Sequence, residues 1–239
     1  MCGRYTLTAP EAELVEVFDV GEVTFRDWRP RYNVAPTQEV PVIVRGRAGE
    51  RRMGLMRWGL VPHWADDPSM GARLINARCE TAARKPAFRD AFARRRCLVP
   101  ADGFYEWQKT EGGKVPWWIH RADRRPFAFA GLWERWRRQT ASGEPDEEAS
   151  LVTFTILTTR PNARVRALHD RMPVILPDRS AEEAWLEVDG DGGNGAATLD
   201  ALLGPVPDDY LDAWPVSTAV NRPANDDPSL VEPVGQGAG

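Results

Sequence analysis

The sequence predicts an α+β protein, a single domain built around an antiparallel, barrel-like β-sheet core with flanking helices. Short runs of β-branched and aromatic residues recur along the chain, separated by Gly, Pro and Asp turn signals. Helical periodicity is confined to a few brief stretches. No internal repeat divides the 239 residues, which suit one large domain. Taken in order, Thr8-Ala9-Pro10-Glu11 reads as a capping box with Pro near the helix start. The helix runs to about Phe18, with Leu14, Val15, Val17 and Phe18 as its apolar stripe. Residues 40–44 read as a strand, 46–50 as a turn and 51–60 as the returning strand. Residues 74–76 form a short strand, and 79–93 are helical with a break at Pro86. Strands follow at 97–99, 103–108, 116–120 and 126–133, and 150–159 is the clearest of all. The polar, acidic stretch 139–149 reads as a surface loop. A short helix at 162–168, a strand at 173–176 and a helix at 181–188 come next. The Gly/Asp loop at 189–195 lacks the spacing of an EF-hand. The domain is expected to span residues 1–221, with 222–239 a disordered tail rich in Pro, Asn, Asp and Gly.

The chemically distinctive residue is Cys2, next to the start methionine. A small second residue permits removal of Met1, which would leave an α-amine and a thiol on adjacent carbons. These groups titrate near pH ~8 and ~8.5, so both have reactive fractions at neutral pH. Such a 1,2-aminothiol suits an aldehyde: the amine forms a Schiff base, and the thiolate closes a five-membered thiazolidine on the imine carbon. The alternative is an unremarkable residue in a frayed terminus. The other cysteines, Cys79 and Cys97, lack metal-ligand spacing, and three is an odd number, so no disulfide framework is expected. Burial is the default for both.

The net charge of −4 hides an asymmetry. Residues 1–138 hold 25 Lys and Arg against 17 Asp and Glu, whereas 139–239 hold 6 against 18. A polyanion can therefore meet a basic face on the first part. Of the basic residues, 28 are Arg and 3 are Lys, which favours bidentate phosphate contacts or, equally, reflects codon composition. Ten Trp residues include several beside Arg or His, notably in Trp133-Glu134-Arg135-Trp136-Arg137-Arg138. Most belong to the core; a few interleaved with Arg suit a stacking platform for single-stranded nucleic acid. No apolar run approaches membrane-spanning length, and Glu11, Glu13 and Glu16 interrupt any signal-peptide pattern.

Three further segments place polar residues inside apolar or turn-rich runs. In Leu74–Thr81, Asn76 either faces a ligand together with Arg78 or caps the following helix. In Gly103-Phe104-Tyr105-Glu106-Trp107, alternation puts Phe104 and Glu106 on one face and Tyr105 and Trp107 on the other. Glu106 is thus set among aromatics, where a raised pKa suits acid–base work, unless the strand is an edge and Glu106 is solvated. In His169-Asp170-Arg171, His169 has the most polar company of the three histidines. Serine-hydrolase, zinc and phosphate-loop signatures are lacking.

These segments, together with Arg31–Pro36 and Arg57–Pro62, resemble the SRAP (SOS response-associated peptidase) family in the same order along most of the chain. The resemblance implies covalent capture of abasic sites in single-stranded DNA, shielding the lesion during the damage response. It places the nucleophile on Cys2, a supporting polar group on Asn76, the acid–base on Glu106 and a second proton-handling group on His169. Arg4, Arg78 and Arg171 would hold phosphates, Asn33 belongs to the DNA-binding set, and Trp58 and Trp107 would stack on bases or hold the strand bent. It implies no metal and no cofactor, DNA with single-stranded regions or junctions as partner, a monomer, and a cytoplasmic, nucleoid-associated location. The rival activity is a thiol autopeptidase acting through Cys2; a noncatalytic single-strand binder is the third reading.

Overall fold

The computed structural model describes residues 2–139, 145–187, 199 and 201–235. In chain order the elements are β1 (Tyr5–Leu7), α1 (Glu11–Phe18), β2 (Glu22–Val23), β3 (Arg31–Val34), β4 (Glu39–Arg45), β5 (Arg51–Trp58), β6 (Asn76–Arg78), α2 (Cys79–Ala82) and α3 (Arg89–Arg94). There follow β7 (Arg96–Ala101), β8 (Gly103–Thr110), β9 (Gly113–Arg121), β10 (Phe127–Gln139), β11 (Pro145–Thr159), α4 (Ala163–Arg166), β12 (Met172–Pro173), β13 (Ile175–Leu176), α5 (Arg179–Glu187) and β14 (Leu211–Pro215).

Five strands close into a ring. Antiparallel pairs run β5–β4–β7–β10–β11. A parallel contact, Thr153 and Phe154 of β11 against Arg57 and Trp58 of β5, completes the circle. Closure removes open edges, so the expected barrel is present, with one parallel seam. A second sheet, ordered β14–β9–β8–β1–β3, is antiparallel throughout. The shared core lies between the two. Tyr5 of β1 meets the rings of Trp58 and Phe129 edge-on at 5.3 and 5.8 Å, and Phe104 of β8 meets Phe129 at 6.0 Å. Such tilted aromatic pairs stabilise beyond their buried area.

The start of the chain is pinned by the residue between β7 and β8. Buried Asp102 accepts from Thr6 Oγ1 at 2.5 Å, Thr8 Oγ1 at 2.8 Å, the Thr8 amide and the Ala9 amide. Thr8 is therefore spent on Asp102, and the expected capping box does not form. Helix α1 begins at Glu11 after Pro10, with no side-chain cap.

Other differences have similarly long-range causes. Strand β6 starts at Asn76, where it pairs in parallel with Ile156 of β11. The expected 139–149 loop is narrower, because β11 begins at Pro145; residues 140–144 lie outside the described residues. The 173–176 strand is two short pieces, β12 on β11 and β13 on β10. The Gly/Asp loop at 189–195 lies outside the described residues.

The tail expected to be disordered is folded through residue 235. Asp226 pairs with Arg31 and accepts from the Tyr32 amide at 2.5 Å, Val216 bridges to Pro233, and Leu230 is fully buried with Tyr105, Trp118 and Val220. The sequence hides this because each anchor lies on a distant strand. Leu230→Ala should cost about 2–4 kcal/mol, read as a lower urea midpoint. An unchanged midpoint would mean that the segment is not docked in solution.

Candidate active site

Strand β1 carries the chain start into the interior. Cys2 is fully buried, and its Sγ lies 3.9 Å from the Arg4 carbonyl oxygen. Asn76, at the start of β6, donates from Nδ2 to the Cys2 carbonyl at 2.7 Å. Its Oδ1 is buried and has no hydrogen-bond partner among the described residues. Asn76 is thus directed at Cys2, and Arg78, which caps α2, does so without a side-chain bond.

Glu106 lies on β8, between β1 and β9, and is 3% exposed. It is therefore not on a solvated edge. Burial pushes its carboxyl up to about 7, the N-terminal charge draws it down, and Asp170 adds to the rise. A group so poised exchanges protons readily at neutral pH. Burial also pushes the Cys2 thiol well above its ordinary range, helped by the Glu106 charge and opposed by the N-terminal charge.

His169 follows α4 and is half-buried. The Arg171 amide donates to its Nδ1 at 3.0 Å. Burial lowers its pKa, the N-terminal charge lowers it further, and Asp170, 2.8 Å from Nδ1, opposes both. Cys2, Glu106 and His169 all respond to the same N-terminal charge. The fold therefore brings together, around the chain start, residues 104 and 63 positions apart in sequence.

The residues expected to touch DNA divide into two groups. Arg78 is exposed and forms no ion pair among the described residues. Trp107 is half-buried and, with Lys109, Arg166 and His169, lines a cleft of about 600 Å³. Arg4 is half-buried, with its guanidinium carbon 6.0 Å from the centre of the Trp107 ring.

The other three are turned inward. Trp58 is fully buried, stacks on Phe154 at 6.3 Å and donates to the Ile75 carbonyl at 2.9 Å, so no face remains for a base. Asn33 is fully buried: its Oδ1 accepts from Arg4 at 2.7 Å, and its Nδ2 faces the carbonyls of Val220, Arg222 and Asn225. Arg171 is committed to Glu80, at 2.6 and 2.9 Å, and to the Thr158 carbonyl at 2.5 Å. These three support the site from beneath. Lys109 and Arg166 had no local signal in the sequence; only the cleft reveals them.

Comparison with known proteins then decides the family. The family model described as SOS response associated peptidase (SRAP) matches residues 1–223. The chain belongs to the SRAP family. An SRAP relative, abasic site processing protein YoqW of Bacillus subtilis (strain 168), is 41% identical over 97% of this chain and 99% of its own. The abasic site processing protein HMCES of Gallus gallus is 35% identical over 87% of this chain and 67% of its own. A crystal structure of a protein from Bacteroides thetaiotaomicron superposes with a TM-score of 0.81 at 25% identity, covering 98% of this chain and all of that one.

Outside the SRAP site, Cys97 is fully buried and Cys79 half-buried, and burial raises the pKa of both. His120 is buried between Trp118 and Trp214, each 4.3 Å away, and His63 is exposed beside Glu134. Among the described residues, no helix is long and apolar enough to cross a membrane.

The raised pKa of Glu106 links to stability. The folded protein keeps a proton that the unfolded chain releases above about 4.5, so the contribution is complete below that pH and is lost as pH rises through about 7. Glu106→Gln, which cannot ionise, should gain stability over the parent between pH 5 and pH 8, by on the order of 3 kcal/mol. Urea titrations at both pH values test this; a pH-independent difference would mean that Glu106 titrates as an ordinary carboxyl.

Proposed function

We propose that this chain processes abasic sites in single-stranded DNA, including single-stranded stretches at junctions, by covalent capture at Cys2 after removal of Met1. The observation carrying this is the convergence of Cys2, Asn76, Glu106 and His169 on the chain start. The names of the Bacillus subtilis and Gallus gallus relatives point to the same lesion.

An abasic deoxyribose opens from its ring form to an aldehyde. His169 assists this opening as a proton relay: the anomeric hydroxyl gives up its proton, the ring C–O bond breaks and the ring oxygen gains a proton, with the imidazole neutral before and after. Glu106, ionised in part at neutral pH, takes a proton from the Cys2 ammonium. The free amine adds to the aldehyde carbon and gives a carbinolamine. Glu106 returns the proton to the departing hydroxyl, so one water leaves and a protonated imine forms. The Cys2 thiol gives up its proton to Glu106, and sulfur bonds to the imine carbon as the C=N π pair passes to nitrogen. The thiazolidine that results consumes the imine before β-elimination can break the strand. Asn76 holds the Cys2 carbonyl and offers Oδ1 to the carbinolamine hydroxyl.

The family description also supports a thiol peptidase. That chemistry is best served by a thiolate–imidazolium pair. Burial works against both members, raising Cys2 and lowering His169. A proton relay through Glu106 to an amine fits these shifts better.

Purified protein mixed with an oligonucleotide carrying one abasic site should lack Met1 by intact mass and give a shifted band on a denaturing gel without added reductant. A band seen only after borohydride trapping would indicate a transient Schiff base and defeat the thiazolidine step. No band at all, with Met1 removed, would favour the peptidase.

Cys2→Ala keeps an amine but loses the thiol, so its stable crosslink should vanish. Glu106→Gln should slow crosslinking by about 10²-fold or more, as for loss of a general acid–base, at unchanged affinity for intact single-stranded DNA. Equal loss of affinity would make Glu106 structural.

A further inference from the structure

The segment after β14 passes back over the second sheet and touches the two residues beside the cleft. Arg4 donates from one terminal nitrogen both to Asn33 Oδ1 at 2.7 Å and to the Val220 carbonyl at 2.8 Å. Trp107 Nε1 donates to Asn221 Oδ1 at 2.7 Å. Neighbouring residues of one segment therefore fix the guanidinium and the indole, which face one another.

The segment is itself secured from below. Asn33 Nδ2 lies 3.2, 3.1 and 2.7 Å from the carbonyls of Val220, Arg222 and Asn225. Asn225 Nδ2 closes the turn on the Ala219 carbonyl at 2.8 Å, and the Tyr105 hydroxyl donates to the Tyr32 carbonyl at 2.7 Å. Buried Val220 and Leu230 anchor the two ends against Tyr105 and Trp118. Bonds from Arg4 to Asn33 and Val220, and from Trp107 to Asn221, hold the two side chains to this secured segment.

We infer that residues 217–231 form a positioning strap for the DNA-binding face, acting through Asn221 on Trp107 and through Asn33 and Val220 on Arg4. The inference rests on the reading that single-stranded DNA is the ligand of this face. A base stacks well on an indole held in one orientation, and a pre-set ring loses less freedom on binding. Asn33 and Asn221 touch neither the reacting atoms nor, in the case of buried Asn33, the DNA; they are positioning residues.

The test is a double-mutant cycle between Asn221→Ala and Trp107→Phe. Asn221 is exposed, so its truncation removes the acceptor without opening the core. Trp107→Phe keeps an aromatic face and removes the donor. Two readouts are taken: the dissociation constant for an intact single-stranded oligonucleotide, and the half-saturating concentration and limiting rate of crosslinking to an abasic one. Asn221→Ala should weaken intact-strand binding about fivefold, the worth of one net hydrogen bond. It should raise the half-saturating concentration similarly and leave the limiting rate within about twofold. The double variant should bind no worse than the weaker single variant, and the melting temperature of Asn221→Ala should stay within a few degrees of the parent's.

Parent-like binding by Asn221→Ala, or losses that multiply in the double variant, would overturn the strap while leaving covalent capture intact. A parent that binds intact DNA but never crosslinks, with the cycle as expected, would overturn the capture chemistry and leave the strap standing. A parent with no affinity for single-stranded DNA would overturn the strap as well.

Discussion

A chain terminus ordinarily frays, and the site here depends on one that is held inside the molecule. Only three residues of strand, Tyr5–Leu7, do the holding. Their pairing with β3 and β8 would be marginal alone. Two additions make it firm. Tyr5 and Leu7 are fully buried, with the Tyr5 ring edge-on to Trp58 and Phe129. The Asp102 carboxylate gathers donors from Thr6, Thr8 and Ala9 just beyond the strand. These bonds pull the Asp102 pKa down, and burial outweighs them and raises it. The short strand is thereby held along its length, and Cys2, just before it, is placed with it.

The chain start carries a positive charge, and three neighbouring groups feel it. A carboxylate, a thiol and an imidazole are each costly to bury in ionised form. The N-terminal charge lowers the pKa of all three. For Glu106 and Cys2 this opposes burial; for His169 it acts with burial. The outcome is a neutral imidazole, a protonated thiol and a carboxyl near its midpoint at neutral pH. Of the three groups, the Glu106 carboxyl is the one poised to exchange a proton near neutral pH.

What was legible in the sequence follows the range of the interactions. Period-two alternation gave the face of Glu106, and Pro86 gave the break between α2 and α3, because both are local. The strands at 40–44 and 150–159 were legible for the same reason. Trp58 beside Arg57 looked like a stacking surface, but its side chain is placed by Ile75 and Phe154. Arg171 is neutralised by Glu80, 91 positions away. Asn33 is buried by a segment almost two hundred residues on, which composition alone marked as disordered. Pro, Asn and Asp serve ordered turns as well as disorder; only the partner strand decides between them.

The arginines differ in how much of each guanidinium the protein itself uses. A guanidinium offers five donors in a fixed plane, so one side chain can brace the protein and still present nitrogen to a ligand. Arg4 spends one terminal nitrogen on Asn33 and Val220, and its guanidinium lies over the Trp107 ring. Arg171 spends both terminal nitrogens on Glu80 and Thr158, and its side chain is 14% exposed. Arg78 spends none on an ion pair and is exposed. The three thus range from a guanidinium used by the protein to one left exposed. A lysine at Arg4, with a single point charge on a flexible stem, could not give the same planar bracing. The excess of Arg over Lys therefore has a structural use at this site, whatever its origin elsewhere in the chain.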